Sequence, residues 1–304
     1  MKYIQGVIAT IASPIINMNQ TMQTNPMKSL ARILLLAVLL TGLNLDAARA
    51  QDDQEYKRAY NAGLEAAQAK NHNEAYQQFT KAVQLARQAG DQDVVKRANK
   101  VLTQIDYARG AADLKKEDFS AAIEDFDKGI ATDPTYAKNY YGKGLALKNL
   151  GQVDNAVATL LKAAEVGSAE GDSKTAQAAH QSIRDHYIFL ASSALAGNGN
   201  PTSAGARQAL EHINALSQHL ELDADAYYYM AEARKVLGEY GQAVAAADQA
   251  LEIHRGSRND KAKVHYVKGE ALMLSGNNDA AKAAFREALF GNFRASAQHY
   301  IDTL

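Results

Sequence analysis

From Gly63 onward, small and apolar side chains recur at one spacing. A small residue is followed twelve positions later by Ala, four later by a mostly aromatic or aliphatic residue, and three later by Ala or Gly. The series runs Gly63, Ala75, Phe79, Ala82; Gly110, Ala122, Phe126, Gly129; Gly144, Ala156, Leu160, Ala163; Ala231, Ala243, Ala247, Ala250; and Gly269, Ala281, Phe285, Ala288. Offsets of three and four are helical, and a small residue ahead of them predicts two helices packed closely as a hairpin. By this spacing Gly63, Gly110, Gly144 and Gly269 are expected to face Ala75, Ala122, Ala156 and Ala281, with Phe79, Phe126 and Phe285 filling the space toward the neighbouring pair.

The second and third copies lie 34 residues apart, the fourth and fifth 38. The hairpin turns carry Gly151-Gln152-Val153, Gly238-Glu239-Tyr240 and Gly276-Asn277-Asn278, and Pro134 closes the second copy. This resembles the tetratricopeptide repeat, a helix-turn-helix of about 34 residues. The family's first tryptophan is replaced by Ala59, Asp106, Tyr140, Tyr227 and His265, so the copies are divergent. The resemblance implies an all-α fold: a right-handed α-solenoid of about six helical hairpins, one irregular, plus a C-terminal capping helix. Clean copies are expected near 56–89, 103–136, 137–170, 224–257 and 262–292, within a solenoid over 51–292. The long interval between the third and fourth copies predicts an irregular hairpin over 173–223. It is made of helices from about Ser173 to Leu195 and Ala204 to Leu220, around the breaker Gly197-Asn198-Gly199-Asn200-Pro201. Phe293, Ala297, Tyr300, Ile301 and Leu304 share one helical face, so residues 293–304 are expected to cap the stack, which leaves self-association through that end open.

Ahead of the repeats the pattern changes. Lys28 and Arg32 precede an apolar run from Ile33 to Leu43, and the stretch ends Ala48-Arg49-Ala50. That layout predicts an export signal over 27–50, cleaved after Ala50, and the run is too short to persist as a membrane span of about 20 residues. Residues 1–26 read as a misassigned start or a disordered extension, with translation beginning at Met27, or alternatively as a long n-region. The expected destination is the periplasm or the exterior of a bacterial cell.

Composition narrows the chemistry. The 33 Lys and Arg residues balance 34 Asp and Glu, which offers no basic field for nucleic acid. Without cysteine there are no disulfides, thiolate metal sites or cysteine nucleophile. No Gly-rich phosphate loop, HExxH or GxSxG occurs, so no catalytic residue is expected and the chain is read as a non-enzyme without cofactor. His180, His186, His212 and His219 cluster in the irregular hairpin, but His212 and His219 stand about 10 Å apart along a helix axis. No metal site is expected there.

In the tetratricopeptide family the first helix of each hairpin lines a concave groove. That phase places Tyr60, Tyr107, Tyr141, Tyr228 and Tyr266 along the groove. Beside them come Lys57, Lys138, Lys148, Lys235 and Lys263, with Asp225, Glu232 and Glu270 in the C-terminal half. Two readings of the tyrosines stand together, packing between hairpins and a ladder for an extended peptide. The lysines suit an acidic segment or a terminal carboxylate. The Lys and Asn clamp that some family members use is absent, since Tyr60 and Leu64 occupy its first-copy positions. The resulting expectation is an exported scaffold holding a protein or peptide in its groove within an envelope complex. The alternative is an exported solenoid that binds polysaccharide or assists an envelope enzyme.

Overall fold

The computed structural model describes residues 55–304 other than residue 198. The export leader and the residues before it lie outside the described residues. Every regular element described is helical: α1 (residues 55–68), α2 (His72–Ala89), α3 (Gln92–Lys115), α4 (Phe119–Thr132), α5 (Ala137–Asn149), α6 (Val153–Ala169), α7 (Ser173–Ala196), α8 (Ser203–Ser217), α9 (Ala224–Val236), α10 (Tyr240–Ile253), α11 (Arg258–Leu274), α12 (Asn278–Glu287), a 3-10 turn (Gly291–Phe293) and α13 (Arg294–Thr303).

Most reversals between helices use one local device. A residue with positive φ ends the first helix and the next residue starts the second. Glycine occupies the strained position at Gly90, Gly151, Gly171, Gly238 and Gly276, whereas Lys70 and Glu117 adopt φ 59 and 62 in the turns after α1 and α3. The following side chain usually caps: Asn71, Asp118, Asp172 and Asn277 each accept from the backbone N–H three residues on. Glycine reaches that conformation without a Cβ clash, and the cap satisfies an otherwise orphaned donor.

The chain divides into two compact units, with the division inside α3 after Ile105. The first contains α1, α2 and the leading part of α3. Its core is Ala75, Phe79, Val83, Ala86, Val94, Val95, Ala98, Leu102 and Ile105, with Tyr56 buried beside them. The Tyr56 hydroxyl donates to Asp91 Oδ2 at 2.8 Å, and Asp91 Oδ1 accepts from the Val94 N–H.

The second unit runs from Asp106 to the C-terminus. From α4 onward each helix packs on its neighbours in sequence, and α5, α7, α9 and α11 also pack on one another in turn, whereas α6, α8, α10 and α12 make no comparable mutual layer. Repeated hairpins that touch only their neighbours make an α-solenoid. The layer in which successive helices touch is the tighter one, so α5, α7, α9 and α11 form the inner side of the curve.

The glycines correct the expectation about what they face. A Cβ at Gly63 would meet the Phe79 ring at 3.0 Å, and one at Gly110, Gly144 or Gly269 would meet Phe126, Leu160 or Phe285 at 2.7 Å. The glycines therefore make room for the large side chain of their own hairpin rather than for the alanine four residues earlier. Phe126 also lies where a Cβ on Gly142 of the next hairpin would sit, 2.3 Å away, so it serves two hairpins at once. At the C-terminal end α13 packs on α12, with the Tyr300 ring stacked on Phe285 at 4.8 Å.

Candidate functional site

The inner layer of the second unit carries most of the residues singled out in the sequence, and their surroundings differ along it. The tyrosines are partly buried. Tyr107 lies 6.1 Å from Phe126 and 5.9 Å from Tyr136, and Tyr266 lies 5.6 Å from Phe285 and 5.2 Å from Phe293. In the first unit Tyr60 meets Phe79 edge-on at 5.4 Å. At these three positions the ring packs on the aromatic residue of its own hairpin, which is the structural side of the ladder. Tyr141 packs against the large core around Ile183 and Tyr187, and Tyr228 meets Tyr229 edge-on at 4.9 Å.

Burial, then Tyr141 and Asp172, raise the pKa of Tyr107; burial, then Tyr107 and Asp172, raise that of Tyr136. Tyr266 is pushed up to about 12 by burial, Glu270 and Tyr300, and Tyr228 still higher by burial, Glu232, Tyr229, Glu270 and Asp225. These hydroxyls stay protonated near neutrality and can act as donors.

The lysines fall into two groups. Lys235 Nζ lies 3.0 Å from Glu232 and 2.5 Å from Glu270, and Lys263 Nζ lies 2.6 Å from Asp225 and 4.8 Å from the centre of the Tyr228 ring. Burial works against the charge of Lys235, but Glu232 and Glu270 outweigh it and hold its pKa above the ordinary lysine value. This is a closed network between α9 and α11, and it binds consecutive hairpins together. An open cavity of about 380 Å³ adjoins it, lined by Asp225, His254, Asn259, Asp260, Lys263 and Phe293. Lys138 and Lys148 on α5, by contrast, make no ion pair among the described residues. Lys138 Nζ lies over the Tyr136 ring at 5.9 Å, and Lys148 helps burial depress the pKa of His186. Lys57 in the first unit lies over Tyr56 at 5.4 Å.

Two features escaped the repeat pattern. Phe189 on α7 is 66% exposed, the highest value among the large hydrophobic residues that stand out to solvent. It belongs to the irregular hairpin, to which the groove phase of the clean copies cannot be applied. The second is Asp106, fully buried, with neither carboxylate oxygen hydrogen-bonded. Burial is the main cause that raises its pKa to about 6, with Asp125 adding to it and Arg109 and Lys128 opposing. Among the described residues no group of three or more histidines and carboxylates is placed to hold a metal ion. His219 instead stacks on Tyr187 at 6.2 Å.

No curated protein matches the chain. Among solved structures, a MamA protein is 19% identical with a TM-score of 0.35, covering 66% of this chain and 95% of its own. A thermophilic tetratricopeptide protein of Thermus thermophilus is 18% identical (TM-score 0.29, 66% and 98% covered), and one from Parabacteroides merdae 13% (TM-score 0.30, 82% and 98%). Superpositions this loose say nothing about the role of this chain. The family model of the tetratricopeptide repeat matches residues 137–166 and 262–289. These segments coincide with the hairpins α5–α6 and α11–α12, and they are tetratricopeptide repeats.

Proposed function

We propose that the whole described chain is a divergent tetratricopeptide scaffold, non-catalytic, exported through its N-terminal leader, which holds a protein or peptide partner on the inner face of its second unit within an envelope complex. The observation that carries the reading is the pair Lys138 and Lys148 on the inner layer, neither in an ion pair among the described residues, with Lys138 over the half-buried Tyr136 ring. Unpaired cations next to apolar rings are suited to a segment that brings its own carboxylates. The partly buried tyrosines offer rigid apolar area at low entropic cost. Export is supported by the basic start, the apolar run and the small residues before Gln51. No described helix is long and apolar enough to cross a membrane.

Two measurements test this. N-terminal sequencing of the protein made in bacterial cells is expected to begin at Gln51, and a mature chain that still begins at Met1 or Met27 rules out the cleaved leader. Photocrosslinking from Tyr141 and from Lys148 in living cells is expected to trap one protein species that a probe on the outer helix α6 does not. Equal trapping from both faces refutes the groove.

A further inference from the structure

The cavity of about 380 Å³ at the leading ends of α9 and α11 is within the size range of small-ligand sites, about 300–1,000 Å³, and the groove reading makes no use of it. Several pieces of chain meet there. Asp225 stands in the first turn of α9, Asn259, Asp260 and Lys263 in the first two turns of α11, and Phe293 at the end of the 3-10 turn. His254, from the link between α10 and α11, completes the wall. The 3-10 turn comes this close because Gly291 has no side chain: the place of its Cβ is taken by the Asn259 side-chain oxygen. Tyr266, 5.2 Å from Phe293 between ring centres, steadies the aromatic wall.

Each polar group keeps hydrogen-bonding capacity after its internal contacts are counted. Asp225 Oδ1 accepts from the Lys263 ammonium at 2.6 Å, which leaves Oδ2. Asp260 Oδ2 accepts from the Ser257 N–H at 2.9 Å and the Ser257 hydroxyl at 2.8 Å, which leaves Oδ1. His254 Nδ1 accepts from the Gly256 N–H at 2.9 Å, so Nε2 is the donor of that ring. The Asn259 side chain makes no hydrogen bond among the described residues. The walls therefore combine carboxylates that only accept with an ammonium and an imidazole N–H that only donate, around one aromatic ring.

This mixture sorts the classes of ligand. A cationic group meets Lys263, an anionic group meets Asp225 and Asp260, and either competes with the ion pair already formed. A metal ion finds no group of three or more histidines and carboxylates placed to hold it among the described residues. A hydroxyl serves both kinds of wall, since it donates to a carboxylate and accepts from an ammonium, imidazole or amide, and it leaves the ion pair intact. Hydroxyls arrayed around a ring whose C–H face can lie on the electron-rich face of an aromatic side chain describe a sugar. We propose that this cavity binds a neutral saccharide, with one sugar ring on Phe293 and its hydroxyls shared between Asp225 and Asp260 as acceptors and His254, Asn259 and Lys263 as donors. The proposal is independent of the groove reading, for it uses the other end of the inner layer and neither Lys138 nor Lys148.

A glycan array carrying neutral, uronic-acid and amine-bearing oligosaccharides tests it, followed by saturation-transfer NMR titration of the retained glycans. Neutral glycans are expected to be retained above both charged classes. Asn259→Ala removes an exposed side chain with no internal bond, and Phe293→Leu keeps apolar bulk while removing the ring. Each is expected to retain cooperative thermal unfolding and to weaken the retained glycan by about tenfold. Should Phe293→Leu unfold, Asn259→Ala alone decides. Lys138→Gln combined with Lys148→Gln is expected to leave glycan binding unchanged. The proposal is overturned by retention of no neutral glycan, by equal retention of the charged classes, or by binding that survives the folded variants. Loss of glycan binding in the double lysine variant also overturns it, because the glycan then lies in the groove; photocrosslinking from Tyr141 and Lys148 judges the groove reading separately.

Discussion

The two ends of the second unit differ in which polar groups they leave without partners. Around α9 and α11 four cations have partners: Lys235 sits between Glu232 and Glu270, Lys263 meets Asp225, Lys268 meets Asp248, and Arg234 pairs with Glu239. From Asp106 to α5 the picture is mixed, for Lys116, Lys128 and Lys143 pair with Asp113, Asp125 and Asp127. Asp106 and the Asn139 amide are nevertheless buried without hydrogen-bond partners, and Lys138 and Lys148 make no ion pair among the described residues. A closed network contributes order and leaves little for a ligand to gain, since a visitor must displace an internal partner first. Unpaired groups cost the free molecule stability and can recover it on binding.

The largest expected effect concerns Asp106. Its folded pKa of about 6 stands above the ordinary aspartate value of 3.8, so the fold prefers the protonated acid. The stability this group contributes is complete below the unfolded value and is lost as pH rises through the folded one. Asp106→Leu is expected to raise stability at about pH 7.5 by about 2–3 kcal/mol, an advantage that shrinks between about pH 6 and pH 4. Urea unfolding at both ends of that range checks it, and an advantage independent of pH would show that the carboxylate has a partner.

Steric tolerance should also differ between the ends. Gly269 faces a Phe285 ring fixed by Tyr266 and Tyr300, whereas Gly144 faces the flexible Leu160. Gly269→Ala is expected to cost about 2 kcal/mol and Gly144→Ala about 1 kcal/mol or less, measured by chemical denaturation. Equal costs would mean that both neighbours yield alike.

Lysine removal addresses the charge contrast directly. Lys235→Met strands two partly buried carboxylates and is expected to lose about 1–3 kcal/mol, while Lys148→Met stays within about 0.5 kcal/mol. If Lys148→Met proves as damaging, the α5 lysines are structural and the contrast fails. The smallest effect lies in the turns. Glu117→Gly relieves a positive φ and is expected to gain about 1 kcal/mol, and Gly238→Ala to lose about as much, both visible as shifts in thermal midpoint.

The helical fold was legible because its signal is local. Close packing of two helices tolerates only small side chains at the crossing, and that requirement repeats wherever a hairpin repeats, so Gly110, Gly144 and Gly269 mark it in the chain itself. The neighbour of each glycine was misread, because spacing gives the phase of a helix and not how far a Phe ring reaches across the gap. The tyrosine positions were equally visible, but their burial against Phe79, Phe126 and Phe285 was not. Phe189 was missed because its hairpin breaks the repeat, and only its own helical stripe of Gln181, Asp185 and Phe189 could have pointed to it.

Sequence alone determined the helical class and the recurring hairpin, along with the absence of thiol chemistry, since each depends on residue type and on spacings within one or two helices. Tertiary structure decided which lysines are spent on Glu232, Glu270 and Asp225 and which stay unpaired. It also decided that Asp106 lies buried without a partner. Charge compensation acts through space over a few ångströms between residues some 35 positions apart, as from Lys235 to Glu270, and no local pattern in the chain encodes that distance.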